Sequence, residues 1–270
     1  MESTFSKLKE AKKGLKINVK GNSQSDSLCL YICNHNCLMD IFYLPMSIDK
    51  PIIDMISARL TYKKVPDRLK MVDDYLYSMP IEAHGGKVYS DMCLDIGTIF
   101  LEQGISVGIF PEGAYLPENV VYKGRTGASR MLYSAVDKGL AVKLIPVAID
   151  VNGSFDLDSY QFDDRQIDVT ILPPVNYENS YDMFSNTNNR DIKNSALHKP
   201  IDESMMLIAE VLNRPYSEEY IKLFPKGNVI FSDGQTIETS KAQEDALIKR
   251  YNNDLLIRKN KLIESIKTTK

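Results

Sequence analysis

Of the three histidines in this 270-residue chain, His35 has a carboxylate five residues on, at Asp40. An imidazole titrates near neutrality, so it can take a proton from a hydroxyl or amine as that group attacks a carbonyl carbon. A neighbouring carboxylate fixes the ring tautomer and steadies the imidazolium that forms. The segment Asn34-His35-Asn36-Cys37-Leu38-Met39-Asp40 therefore reads as a general base with its orienter. A lone His-x4-Asp spacing recurs by chance and decides little by itself. Cys37 leaves thiol chemistry open, but a reactive cysteine needs a low pKa and exposure. His84 and His198 have no partner at an informative spacing and read as structural or exposed.

Two more segments carry groups suited to a ligand. Phe110-Pro111-Glu112-Gly113 follows the apolar run 105–109; its proline, acid and glycine make a rigid corner at the C-terminal end of a strand. Open α/β sheets place their ligand sites at such ends. Lys123-Gly124-Arg125-Thr126-Gly127-Ala128-Ser129-Arg130 sets cations and glycines ahead of a helix, an arrangement suited to phosphate. The glycine, lysine and hydroxyl order of a Walker loop is absent.

These segments need strands and helices to hold them. Residues 28–33 form a continuous apolar run of buried-strand length, and a helix follows from residue 39, ending at Pro45 or shortly after. Helical spacing covers 91–103 and stops at Gly104, and strand 105–110 comes next. Helix 127–136, strand 142–151 and strand 166–172, closed by Pro173-Pro174, continue the alternation. The expected fold is α/β, a mostly parallel central sheet flanked by helices. Residues 176–200 turn polar and read as loop, 201–213 as helix, and 239–267 as one long charged helix. The expected organisation is a basic lead over 1–20, a body over 21–215 and a C-terminal helical extension over 216–270.

Composition narrows the classes. With 43% hydrophobic residues the chain can bury a sizeable core. No run approaches the roughly 18 to 20 apolar residues of a bilayer-spanning helix. Residues 1–20 contain lysines but no apolar core of a secretory signal, so a cytoplasmic location is expected, with contact at the inner membrane face open. Cys29, Cys33 and Cys37 stand at four-residue spacings with Cys93 remote, neither a disulfide framework nor a zinc pattern; they read as core filler. The net charge of −3 divides into +4 over 1–20, +4 over 241–270 and −11 between them. Basic ends suit anionic headgroups, an acidic carrier protein or plain solvation. The acidic body, without a basic stripe and interleaved aromatics, argues against nucleic acid.

Taken in order, Asn-His-x4-Asp after an apolar strand, Phe-Pro-Glu-Gly, Lys-Gly-x-x-Gly-Ala and Ile145-Pro146-Val147 resemble the blocks of the glycerolipid and lysophospholipid acyltransferases, over roughly residues 17–215. The resemblance implies an α/β fold, an acyl-CoA or acyl-carrier-protein donor as co-substrate, no cofactor or metal, and direct transfer without an acyl-enzyme. It implies that His35 and Asp40 form the catalytic pair and that Phe110, Pro111, Glu112 and Gly113 shape the acceptor site. Tyr115, Lys123 and Arg125 join the expected acceptor site by their own type and position, the two cations as substitutes for phosphate ligands that the family pattern has and this chain lacks. Pro146 falls in the block near the acyl pocket. The chain departs from the pattern where Ala114 and Tyr115 replace a hydroxyl residue and an arginine, and where His84 stands nearest the place of a second arginine. Only about 27 residues precede the first expected strand, where many relatives carry a membrane element.

The leading expectation is acyl transfer from a thioester to a lysophospholipid-like hydroxyl. Its alternative is N- or O-acylation of a soluble amine, amino sugar or peptide-like acceptor, favoured by Tyr115 and the short N-terminal lead. A reading of another class, a silent lipid- or carrier-protein-binding module, would require a broken His–Asp pair.

Overall fold

The computed structural model describes residues 10, 12–13, 15–24, 26–37, 39–57, 78–81, 86–113, 119–152, 166–221, 228–230, 236–238 and 260. Its strands are β1 (Lys16–Lys20), β2 (Cys29–Cys33), β3 (Ile52–Ser57), β4 (Ser78–Ile81), β5 (Ser106–Ile109), β6 (Val121–Tyr122), β7 (Lys143–Asn152), β8 (Gln166–Ile171), β9 (Tyr216–Ser217), β10 (Asn228–Ile230) and β11 (Thr236–Glu238). Its helices are α1 (Asp40–Ser47), α2 (Gly86–Glu102), α3 (Gly127–Asp137), α4 (Glu178–Ser185) and α5 (Arg190–Val211).

Seven strands form one sheet in the order β1-β8-β7-β2-β5-β3-β4, and every neighbouring pair is parallel except β7 with β8. A parallel strand covered on both faces needs apolar side chains on both. β2 meets this requirement: its five residues are all buried. Leu30 and Ile32 join Val107 and Ile109 in a core beneath α2, α3 and α5, whose Ile96, Met131, Leu132, Ile201 and Ile208 complete it. Cys29, Tyr31 and Cys33 point to the other face, where Ile41, Phe42, Leu44 and Met46 of α1 cover them. The cysteines thus serve as small buried side chains, and all four are free thiols.

The order of the strands locates a crevice. From β2 the chain passes through α1 to β3 on one side, whereas from β5 it passes through α3 to β7 on the other side of β2. Connections that leave neighbouring strands in opposite directions open a gap at the strands' carboxyl ends. His35 follows β2 and Glu112 follows β5, so both stand at that gap.

The polar stretch expected as loop over 176–200 is corrected: α4 occupies 178–185 and α5 starts at Arg190, leaving only 186–189 as the turn. The Asn189 side chain caps α5 by accepting from the N–H groups of Asp191 and Ile192. Pro200, inside α5, has no N–H for the Ala196 carbonyl four residues back. Tyr133 Oη donates to that carbonyl at 2.9 Å, and Ser129 Oγ donates to the Leu197 carbonyl at 2.6 Å. Tyr181 and Phe184 of α4 pack against the Tyr133 ring, at centroid distances of 5.5 and 5.2 Å. Long-range contacts outweigh the weak local helical signal.

β6 and β9 pair as a short parallel ribbon, and β10 pairs antiparallel with β11. The long charged helix expected over 239–267 lies outside the described residues, Asn260 excepted. Among the described residues no helix is long and apolar enough to cross a membrane.

Candidate active site

Asn34 continues β2 with its side chain: Nδ2 donates to the Ile149 carbonyl at 2.9 Å and Oδ1 accepts from the Ile149 N–H at 2.8 Å. This paired amide holds the exit of the strand against β7 and sets where the next residue begins. The chain then turns into α1, whose first residue is Asp40. A carboxylate suits the positive end of a helix, and its oxygens satisfy N–H groups of the turn. Asp40 Oδ2 accepts from the N–H groups of Asn36 and Cys37, both at 2.8 Å, and faces His35 Nδ1 at 3.2 Å. The side chain of Asp40 is 1% exposed and that of His35 11%. An ionised carboxylate accepts only, so it selects the tautomer with the proton on Nδ1 and the lone pair on Nε2.

The second wall comes from the residues after β5. The Phe110 ring lies 4.6 Å from the His35 ring, centroid to centroid, tilted by 33°. The Gly113 N–H donates to the Phe110 carbonyl at 3.2 Å, and Gly113 has φ +80°, a conformation side chains disfavour. A Cβ at that position would also stand 2.9 Å from Arg125 Nε. The Glu112 carboxyl is turned inward: Oε2 accepts from the His35 N–H at 2.7 Å and Oε1 from the Tyr122 N–H at 2.9 Å. Glu112 is 2% exposed, and burial pushes its titration up to about 8 against those two donors and Arg214, with Asp40 adding to the rise. At neutral pH the group is mostly protonated, and it joins the His35 backbone, the Phe110 corner and β6.

Arg125 donates its backbone N–H to the Pro111 carbonyl at 2.8 Å, and its guanidinium lies 5.5 Å from the centroid of the Tyr220 ring. Gly124 has no room for a side chain, because a Cβ would stand 2.4 Å from Ile201 Cγ2 and 3.0 Å from Pro111 Cβ. The structure therefore brings His35, Asp40, Phe110, Pro111, Glu112, Gly113 and Arg125 together. Lys123 turns toward α5 and pairs with Asp202 at 3.4 Å, in an open depression of about 960 Å³ that Arg214 and Tyr216 also line. Pro146 is buried inside β7, level with Ile32 of β2. Tyr115, with Ala114 and His84, lies outside the described residues.

Cys37 meets neither condition for thiol chemistry. Its Sγ donates to Asp40 Oδ1 at 3.2 Å, and burial followed by the Asp40 charge pushes the thiol far above its ordinary range, so no nucleophilic thiolate forms. Sequence reasoning also missed Arg214. Its Nη1 donates to Asn36 Oδ1 at 2.8 Å and its Nη2 pairs with Asp150 on β7, so one guanidinium ties the His35 turn to the sheet from 178 residues away. No local pattern marks it, since it stands past the end of α5, just before Pro215. Asn34 and Asn36 adjoin His35, and their polar type at the end of a buried strand was the available signal.

A family model described as Acyltransferase matches residues 16–150, half of the chain. That segment contains β2, the His35–Asp40 turn, the Phe110–Gly113 corner and most of β7. Among solved structures, the 1-acyl-sn-glycerophosphate acyltransferase of Thermotoga maritima is similar at 15% identity and a TM-score of 0.47, covering 76% of this chain and 79% of that one. No curated protein matches the chain. On the family match, the chain belongs to the acyltransferase family and is an enzyme of acyl transfer.

Proposed function

We propose that this enzyme moves a fatty acyl chain from an acyl-CoA or acyl-carrier-protein thioester to a lysophospholipid-like hydroxyl, with His35 as general base and Asp40 as its orienter. The observation that carries the reading is the 3.2 Å approach of His35 Nδ1 to Asp40 Oδ2 at the carboxyl ends of β2 and β5. With Nδ1 committed to Asp40, Nε2 takes the acceptor's proton as its oxygen forms the new bond to the thioester carbonyl. The C–S bond then breaks, and the imidazolium returns the proton to the departing thiolate, so an ester and a free thiol result. Arg125, stacked on Tyr220 and without an ion pair among the described residues, is the cation best placed for an acceptor phosphate; Phe110 and Gly113 shape the wall beside it.

A second reading, acylation of an amine or other soluble acceptor, is favoured by one feature. Lys123 and Arg214 are already paired with Asp202 and Asp150, and the depression they line also carries Glu203 and Glu210. Such mixed charge suits a zwitterion or an amine as well as a phosphate. Incubation with palmitoyl-CoA or palmitoyl-carrier protein against lysophosphatidic acid, other lysolipids, amines and amino sugars, with product masses recorded, separates the two. An acyl-lysolipid supports the first reading and an amide the second. His35→Ala should lower turnover by about 100- to 10,000-fold without unfolding the chain; unchanged turnover defeats the assignment of the base.

A further inference from the structure

The two oxygens of the Asp40 carboxylate have different company. Oδ2 takes the N–H groups of Asn36 and Cys37 and faces Nδ1 of His35. Oδ1 takes one donor among the described residues, the Cys37 thiol at 3.2 Å. Asp40 is 1% exposed, so bulk water is a poor substitute for that donor, and a buried carboxylate oxygen left without one is costly. Torsion about the Cβ–Cγ bond of an aspartate is broad and roughly two-fold, so packing alone holds the carboxylate plane loosely. A donor on each oxygen holds it in one orientation.

We propose that Cys37 is a positioning residue of the catalytic pair: its S–H anchors Oδ1, which keeps Oδ2 turned toward His35 Nδ1. This rests on the reading of His35 and Asp40 as base and orienter. Sulfur here is a donor to the orienter, so the role requires a proton on the side chain and not a nucleophile. The titratable groups that share the Asp40 field are His35, Cys37, Cys33 on β2 and Glu112, with Arg214 acting on Glu112. Cys33 Sγ is fully buried, and burial keeps it protonated, so it does not compete as an anion.

Serine and alanine have nearly the same volume and differ by the donor, so Cys37→Ser and Cys37→Ala isolate the hydrogen bond from the packing. Far-ultraviolet circular dichroism and thermal melting establish that each variant is folded. With palmitoyl-CoA and the acceptor selected by the panel above, Cys37→Ala should lose about tenfold in kcat, and Cys37→Ser should recover to within about threefold of wild type. Because the donor acts on the pair that carries the proton, the pH profile of kcat/KM should change in Cys37→Ala and return in Cys37→Ser. Long-range proton–nitrogen spectra of His35 read the tautomer without substrate: Nδ1–H in wild type and Cys37→Ser, a mixture in Cys37→Ala. Folded Ser and Ala variants with equal losses, or an Ala variant with wild-type rate, profile and tautomer, overturn the thiol's role while an inactive His35→Ala leaves the dyad standing. An active His35→Ala removes the dyad, and the role of Cys37 with it.

Discussion

Glu112→Gln tests whether the carboxyl that holds the His35 backbone is a buried, mostly protonated clamp. Displacement of its titration from 4.5 to about 8 corresponds to roughly 5 kcal/mol of preference for the neutral form in the folded chain. Because the folded state holds this proton more tightly, unfolding releases it between those values. The stability it contributes is complete below about pH 4.5 and is lost as pH rises to about 8. Glutamine cannot ionise, but its amide nitrogen cannot accept, so one of the two N–H groups, of His35 or Tyr122, loses its acceptor at a cost of about 1–3 kcal/mol. The variant should therefore be less stable than wild type at pH 4 to 5, cross it at about pH 5 to 7, and exceed it by about 2–4 kcal/mol at pH 9. Urea unfolding followed by circular dichroism at each pH measures the difference, in which every other titrating group cancels to first order. Parallel stability curves for the two proteins would refute the buried clamp.

Asp40→Asn should keep the fold but present an amide to His35 Nδ1 and mis-set the tautomer, lowering kcat by about 100- to 10,000-fold; steady-state kinetics check this. Arg214→Ala should leave Asn36 and Asp150 without their shared partner and reduce kcat/KM by about tenfold, and Arg214→Lys should not restore it, because one ammonium cannot span both acceptors. Asp54 is buried on β3, and neither carboxyl oxygen has a hydrogen-bond partner among the described residues; burial raises its titration well above the ordinary 3.8. Wild-type stability should fall from this group as pH rises above about 4, and Asp54→Asn should flatten that part of the curve in the same unfolding assay.

The pairing of His35 with Asp40 was legible because it is local. A buried strand that ends in a polar turn and re-enters a helix can bring residues five apart to one place. β2, β5 and β7 were legible for a related reason, since continuous apolar runs of strand length have few other ways to bury themselves. The Phe110–Gly113 corner was recognisable by type, and its position at a strand end follows from the alternation of strands and helices.

The direction of Glu112 was not legible. An acid in a turn reads as solvated until a neighbouring strand brings the His35 N–H to it across 77 residues, and that neighbour depends on β5 lying beside β2 and not beside β4. Arg214 is the same case at greater range, and α4 with the first turns of α5 became helical through Ser129, Tyr133 and the Asn189 cap despite a polar composition. Residue order alone determined which groups can do the chemistry, because side-chain types and short spacings are written in it directly. Only the tertiary structure decided which backbone groups hold them, because hydrogen bonds between distant segments exist only once the sheet has set the strands side by side.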